Sequence, residues 1–238
     1  MRRRLGFWLR NDAARLLWPG RCLACGEDGG EAIDLCPRCL GSLPWLGRAC
    51  RSCALPLPAA AGQGDICGAC IARPPPLDQV HAACLYANPL DRLLPRFKFH
   101  HDLAAGQLLA QLMAERCAGL PRPDALVPIP LHRARLRQRG YDQALELARP
   151  LATGLDLPLR PGLLRRVRAT AQQSRLDVTG RARNLRGAFA VPAGETLPAH
   201  VVLVDDVMTT GATLHAAARA LRRAGIARVD AWVCARAP

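Results

Sequence analysis

Two adjacent carboxylates and a loop of small, hydroxyl-bearing residues follow an apolar run near the end of the chain. Residues 201–204 are Val-Val-Leu-Val, Asp205 and Asp206 come next, and residues 207–213 include three threonines and Gly211. Backbone N–H groups at the start of a helix can hold a phosphate, and glycine permits its close approach. The acids would repel that phosphate, so they must face hydroxyls or a metal. A ribose diol supplies hydroxyls, so we predict a ribose phosphate site rather than a turn with exposed aspartates, which would be costly without partners.

Eight of the 11 cysteines form four Cys-x-x-Cys pairs in the first third of the chain: Cys22/Cys25, Cys36/Cys39, Cys50/Cys53 and Cys67/Cys70. Each pair suits tetrahedral Zn²⁺, and two pairs complete a closed site with no position for substrate. We therefore predict two structural zinc sites, which this short segment with few large apolar side chains needs in order to fold. Iron–sulfur and redox chemistry explain four pairs less well. Sequential sharing of the pairs is favoured, and interleaved sharing stays open.

The other three cysteines, Cys84, Cys117 and Cys234, lie within apolar strand or helix patterns. We predict that they are buried and inert. Eleven cysteines without a secretory signal indicate a reducing compartment. No apolar run is long enough to span a bilayer, so we expect a cytoplasmic protein.

Arginine dominates the net charge of +14, and Lys98 is the only lysine. Between residues 131 and 190 there are 13 arginines against four acids. A field of this sign attracts nucleotides, other phosphate-bearing ligands or nucleic acid. The same charge could also belong to an ordinary solvated basic face.

The chain divides at the stiff segment Pro74-Pro75-Pro76. Residues 1–73 comprise a basic amphipathic lead, interpreted as a short helix, and the cysteine-rich module. Residues 74–238 alternate between predicted strands (80–86, 125–129, 163–167, 201–204 and 229–234) and helices (103–117, 143–151, 176–184 and 213–224), with a short helix or turn region at 90–99. This alternation predicts an α/β fold with a parallel sheet and helices on both faces.

The 13 residues 201–213 resemble the phosphoribosyl pyrophosphate (PRPP) motif of type I phosphoribosyltransferases: four apolar residues, two acids, a variable pair and Thr-Thr-Gly-Ala-Thr. In that family the acids bind the ribose hydroxyls and the loop binds the 5′-phosphate. The resemblance assigns PRPP binding to Asp205, Asp206, Val207, Met208, Thr209, Thr210, Gly211, Ala212 and Thr213. It also implies a mostly parallel sheet flanked by helices, a variable hood, and Mg²⁺ held on the pyrophosphate.

Further segments extend the resemblance over nearly the whole chain, from about Leu16 onward. They are Phe97-Lys98-Phe99, residues 126–143, and Gln173, Arg175, Arg181, Asn184, Gly187 and Phe189. Together with the zinc module they resemble the ComF/GntX family of phosphoribosyltransferase-like proteins. This resemblance implies a link to DNA uptake in competence or to use of DNA as a nutrient, often beside a helicase-like partner.

Candidate contacts to pyrophosphate or substrate come mainly from the segment after the strand that ends near Pro130. They are Lys98, Pro130, Arg133, Arg137 and Arg139, since guanidinium forks suit phosphate. The arginines could equally form a solvated helix face, and Lys98 could be a surface lysine. Tyr141 matches a position that is usually aromatic in the family, whereas Asp142 stands where asparagine is expected. His100, His101 and His132 have no evident partner and are interpreted as non-catalytic.

Two classes of function fit these residues. An enzyme would bind PRPP with Mg²⁺ and transfer the ribosyl group to a nitrogen while arginines and Mg²⁺ stabilise the leaving pyrophosphate. An adaptor would instead use the same fold to sense a nucleotide-like ligand, while the zinc module and arginine surface contact a partner or single-stranded DNA. Steep salt dependence of DNA binding would favour the adaptor.

Overall fold

The structure is a computed structural model, and it describes residues 20–58, 65–168, 185 and 187–238. The basic lead before residue 20, the predicted helix 176–184, and Gln173, Arg175, Arg181 and Asn184 lie outside these residues. In chain order the elements are α1 (Pro37–Gly41), α2 (Gly68–Ala72), β1 (Val80–Leu85), α3 (Leu90–Phe99), α4 (Leu103–Cys117), β2 (Ala125–Pro128), α5 (Arg133–Arg139), α6 (Gln143–Leu155), β3 (Arg165–Arg166), β4 (Phe189–Ala190), β5 (His200–Met208), α7 (Ala212–Ala224) and β6 (Arg228–Arg236).

Four parallel strands form the central sheet in the order β1-β6-β5-β2. The central strand β5 pairs Val204 with Pro128 on one side and with Trp232 on the other. Residues 201–204 are fully buried, as expected for a parallel strand that is covered on both faces and therefore reads as a continuous apolar run. The predicted parallel sheet with flanking helices is confirmed.

The predicted strand at 163–167 does not join this sheet. Only β3 forms there, and it pairs antiparallel with β4 as a separate two-stranded ribbon. Leu163 and Leu164 are buried and anchor the ribbon on the core, while Arg165 and Val167 are exposed. The apolar pair therefore anchors a ribbon beside the sheet, and helix α5, absent from the predicted elements, forms between β2 and α6.

Helices cover the two faces of the sheet unequally. Helices α3, α4 and α6 pack in the core on one face, and α7 packs in the core on the other. Asp102 caps α4 by accepting from the Ala105 N–H at 2.9 Å, and Gly225 ends α7 with a φ of +109° that glycine adopts easily. No helix in the described ranges combines the length and the apolar character that crossing a bilayer requires.

The cysteine-rich module packs directly on the edge of the sheet at β1. The Leu46 N–H donates to the Ala83 carbonyl at 3.0 Å, and the Leu85 N–H donates to the Pro44 carbonyl at 2.8 Å. Cys22 belongs to the core on the α4 face, whereas Cys50 and Cys53 belong to the core on the α7 face. The two halves of the module therefore lie on opposite faces of the sheet, and the segment that joins them pairs with its edge.

Candidate functional site

The eight paired cysteines form two four-cysteine clusters. One contains Cys22, Cys25, Cys36 and Cys39, the other Cys50, Cys53, Cys67 and Cys70, and within each the sulfurs all lie within 4.8 Å of one another. The Sγ–Sγ distances are 3.8 Å for Cys25–Cys36 and 3.7 Å for Cys53–Cys67. A tetrahedral ion with Zn–S bonds of about 2.3 Å places its sulfurs about 3.8 Å apart. The residues therefore fit zinc, in the sequential arrangement favoured above.

Backbone N–H groups also donate hydrogen bonds to cysteine sulfurs in both clusters. The Cys39 N–H donates to Cys36 Sγ at 3.4 Å, and the Cys67 N–H donates to Cys50 Sγ at 3.3 Å. Hydrogen bonds of this kind favour the charged form that binds metal. Each cluster uses all four cysteines as ligands, so zinc in either cluster is structural.

The remaining cysteines are buried away from these clusters. Burial raises the pKa of Cys84 and of Cys117 to about 12, and it raises that of Cys234 well above its ordinary value. A thiol held in its neutral form is a poor nucleophile. Their predicted inert character agrees with these surroundings.

Asp205 and Asp206 lie at the carboxyl end of β5, where an open parallel sheet binds its ligands. Asp205 Oδ1 accepts from the Asp206 N–H at 2.9 Å, and Asp206 Oδ1 accepts from the Val207 N–H at 2.6 Å. The only lysine, Lys98 at the end of α3, places its Nζ 3.0 Å from Asp206 Oδ1. A single ammonium group therefore balances part of the charge of the acid pair.

Burial and the neighbouring charge of Asp206 raise the pKa of Asp205 to about 8. Burial alone would lower the pKa of Lys98, but the charge and hydrogen bond of Asp206 outweigh it and raise that pKa above its ordinary value. The pKa values of Asp205 and Lys98 therefore both depend on the neighbouring charge of Asp206. Such perturbed groups in a cleft are typical of functional sites.

Gly211 starts the helix that follows the acids. Its φ of +74° lies in the left-handed region, and a Cβ at this position would lie 2.5 Å from Met208 Cε. The turn lets α7 begin at Ala212, so the positive end of its dipole faces the loop. This arrangement suits a phosphate group.

A cleft of about 480 Å³ opens in front of the acids. Seven of the predicted site residues line it, namely Asp205, Asp206, Val207, Thr209, Thr213, Lys98 and Arg139. The other candidates, Met208, Thr210, Gly211, Ala212, Pro130, Arg133 and Arg137, are not part of the lining that the described residues provide. The cleft therefore brings together the acids, the hydroxyls and the lysine.

Three arginines converge on the cleft, and two of them were missed from the sequence. Arg135 and Arg139 are four residues apart on α5 and share a face, whereas Arg133 and Arg137 are exposed. Arg166 reaches the cleft from β3 and lies over the Phe189 ring, 5.5 Å from its centroid. Burial lowers the pKa of Arg166, and the charge of Arg135 acts in the same direction. Guanidinium groups close enough to repel one another favour an anionic ligand between them.

Aromatic rings line the outer part of the cleft. Phe99 is 59% exposed, with the Arg139 guanidinium 5.4 Å from its centroid, and Tyr86 also lines the cleft. Neither residue was a candidate from the sequence, because an aromatic at the end of a helix or strand pattern ordinarily belongs to the core.

Asp142 has a structural role that explains its departure from the family pattern. It caps α6 by accepting from the Leu145 N–H at 3.2 Å, and its other oxygen accepts from the Leu131 N–H at 2.9 Å. Burial raises its pKa despite these hydrogen bonds. Asparagine has a single acceptor oxygen and could accept only one of these two bonds in the same geometry, so the second oxygen of the aspartate provides the connection between the loop after β2 and α6.

The three histidines considered from the sequence have ordinary surroundings. His132 caps α5, where its Nδ1 accepts from the Ala134 N–H at 3.3 Å. His101 packs against Tyr141 with ring centroids 5.2 Å apart, and His100 follows the last turn of α3.

Comparison with known proteins finds two domain families in the chain. The double zinc ribbon domain matches residues 13–84, and the phosphoribosyl transferase domain matches residues 142–238. "DNA utilization protein YhgH" of Salmonella typhi is 36% identical over 96% of both chains. "Competence protein F" of Haemophilus influenzae is 37% identical over 72% of this chain and 78% of its own. "Competence protein ComFC" of Bacillus subtilis is 32% identical over 63% of this chain and 60% of its own.

Proposed function

Because the chain belongs to the ComF/GntX family, we propose that its cleft binds PRPP together with Mg²⁺. One observation carries this proposal: a single cleft holds an acid pair at the end of β5 and three arginines from α5 and β3. A ligand with hydroxyls at one end and phosphate charge at the other matches that distribution. PRPP has this chemistry.

The acid pair is proposed to hold the ribose. Asp205 and Asp206 can each accept from a ribose hydroxyl, and such charge-assisted hydrogen bonds are stronger than neutral ones. The loop from Thr209 to Thr213 and the N-terminus of α7 would then hold the 5′-phosphate through backbone N–H groups and threonine hydroxyls. Asp205 and Asp206 therefore orient the sugar, while the loop fixes its phosphate end.

The pyrophosphate is proposed to lie among Arg135, Arg139 and Arg166. Mg²⁺ ordinarily binds through substrate phosphates and only one or two carboxylates, and when bound it would neutralise pyrophosphate charge. The cleft lining contains Asp142, Asp205 and Asp206 as oxygen donors, so its chemistry fits this ion. During ribosyl transfer the arginines would stabilise the charge that develops on the leaving group.

The experiment for this proposal is calorimetric titration of the zinc-loaded protein with PRPP and Mg²⁺. Micromolar binding by the wild type, lost in the Asp205→Asn/Asp206→Asn variant, is the expected result. Asp156→Asn is the matched control, since Asp156 is exposed, lies outside the cleft and has a left-handed φ of 53° that asparagine tolerates. Absence of PRPP binding by the wild type would refute the proposal.

A second function, binding of single-stranded DNA, is favoured by the arginines that do not line the cleft. Arg133 and Arg137 are exposed on α5, on the side away from Arg135 and Arg139. We propose that this face contacts the phosphate backbone, consistent with the DNA utilization and competence names of the relatives. Contacts of this kind are electrostatic and weaken steeply with salt.

Fluorescence anisotropy with a labelled single-stranded oligonucleotide tests the second function. The Arg133→Ala/Arg137→Ala variant should bind DNA more weakly and keep its PRPP affinity. Its salt slope should fall by about 0.7 for each phosphate group that the protein no longer neutralises. Arg149→Ala, an exposed arginine on α6, is the control for charge. Unchanged DNA affinity in the double variant would refute this assignment.

A further inference from the structure

A buried arginine joins the second cysteine cluster to the loop that starts at the end of β5. Arg236, the last residue of β6, is only 5% exposed. Its Nε donates to the Cys53 carbonyl at 2.8 Å, its Nη1 donates to the Met208 carbonyl at 3.1 Å, and the same nitrogen contacts the Ala237 carbonyl. One guanidinium group therefore bridges a zinc-ligating turn and the residue that precedes Thr209.

In the described part of the chain, no carboxylate balances the charge of Arg236. Among the residues that the structure describes, no aspartate or glutamate forms an ion pair with this guanidinium. Four thiolates outweigh one divalent cation, so the loaded second cluster keeps a net negative charge. That charge can balance the buried guanidinium.

The first cluster has a different arrangement, which makes it an internal control. Arg96 Nη1 donates to the Leu23 carbonyl, in the first Cys-x-x-Cys turn, at 2.6 Å. Arg96 also forms an ion pair with Asp102 at 2.7 Å. Its charge is therefore balanced by a carboxylate whether or not the first cluster holds metal.

Met208 is the point through which Arg236 acts on the cleft. Its carbonyl accepts from both Arg236 and the Ala237 N–H, the latter at 3.0 Å. Its methyl group occupies the space beside Gly211 that a Cβ would fill. The position of Met208 therefore fixes both ends of the loop 209–211, which is proposed to hold the 5′-phosphate.

We infer that Arg236 is a positioning residue that couples zinc in the second cluster to the phosphate loop, so that occupancy of this cluster, and not of the first, sets the affinity of the cleft. The inference about affinity rests on the proposed PRPP site. The coupling itself concerns the loop and can be measured without a ligand.

The first experiment removes one zinc at a time from the full chain. Cys70→Ser is the variant of the second cluster and Cys25→Ser is the matched variant of the first. Cys70→Ser should raise the Kd for PRPP by about tenfold, the loss of one charge-assisted hydrogen bond, and increase hydrogen exchange at the amides of residues 208–213. Cys25→Ser should leave both quantities near their wild-type values. Equal effects of the two variants would overturn the inference, because they would report a general loss of folding.

The second experiment separates the effect of the positive charge of Arg236 from the effect of its hydrogen bonds to the Cys53 and Met208 carbonyls. Arg236→Met should speed release of the second zinc to a chromogenic chelator, leave release of the first zinc unchanged, and weaken PRPP binding. Arg236→Lys restores the charge but not the planar fork, so it should restore zinc retention while loop exchange stays high. Wild-type zinc release and loop exchange in Arg236→Met would overturn the inference. If wild-type protein fails to bind PRPP, the proposed function fails, whereas zinc release and loop exchange still decide the coupling.

Discussion

The raised pKa of Asp205 predicts that ligand binding is coupled to loss of a proton. Burial and the charge of Asp206 raise this pKa to about 8. At pH 7 only about a tenth of the molecules therefore carry the ionised carboxylate. Ribose hydroxyls bind most strongly to the ionised form, so PRPP binding should displace the proton from most molecules.

The affinity should follow this protonation equilibrium. We expect the association constant to rise by up to about tenfold per pH unit below pH 8 and to level above it. Calorimetry at pH 7 in two buffers of different ionisation enthalpy should show release of close to one proton. Asp205→Asn should bind PRPP more weakly and release fewer protons. Subtracting its proton release from that of the wild type removes the contribution of protons that PRPP itself gains or loses on binding.

The raised pKa of Asp205 also predicts how folding stability depends on pH, and this dependence has the opposite sign to that of PRPP binding. Because its folded pKa lies above that of the unfolded chain, the folded state binds the proton more tightly, and stability is lost as pH rises from about 4 to about 8. Asp205→Asn should unfold at higher denaturant concentration than wild type at pH 8.5, and the difference should shrink towards pH 4. Equal proton release and parallel stability profiles for the two proteins would refute this account of Asp205.

Three further outcomes are expected. Lys98→Met leaves Asp206 without its ammonium partner and should lower the free energy of unfolding by about 3 kcal/mol, whereas Lys98→Met/Asp206→Asn should recover part of that loss in urea titrations. Arg166→Ala should weaken pyrophosphate binding measured by calorimetry, and Arg137→Ala should leave it unchanged, because Arg166 lines the cleft and Arg137 does not; equal effects would contradict the assignment. Gly211→Ala should lower the unfolding midpoint and PRPP affinity together, because φ is +74°, and retention of both would show that the turn can adapt.

The sequence specified the parts of this protein whose chemistry is local. Each Cys-x-x-Cys pair contains half of a zinc site within four residues. The acids, threonines and glycine of the proposed phosphate loop likewise follow one another within a single short segment. The strand before them is fully buried, so its apolar run was a sufficient signal. The sequence therefore predicted both four-cysteine clusters and the α/β class, and it identified the segment whose acids and threonines line the cleft.

The arginines that face the cleft could not be identified from the sequence alone. Arg135 and Arg139 form one i, i+4 pair on α5, and Arg133 and Arg137 form the other. Only the packing of the helix decides which pair faces the cleft, and the sequence contains no apolar stripe in α5 that would decide it. Arg166 enters from a two-residue strand whose partner is more than 20 residues away, so its position depends on tertiary structure.

The strand order also fixes when the molecule can be completed during synthesis. Strand β1 pairs with β6, the last strand, and the segment around Leu46 pairs with β1. The ligands of both metal clusters emerge within the first 70 residues and the edge strand β1 soon after them, whereas β6, which pairs β1 with the rest of the sheet, spans residues 228–236. A ribosome-bound chain can therefore acquire zinc long before β6 completes its sheet. Throughout that interval the N-terminal module lacks the support of the complete sheet and depends mainly on its metal ions, which makes zinc supply during translation a determinant of folding yield.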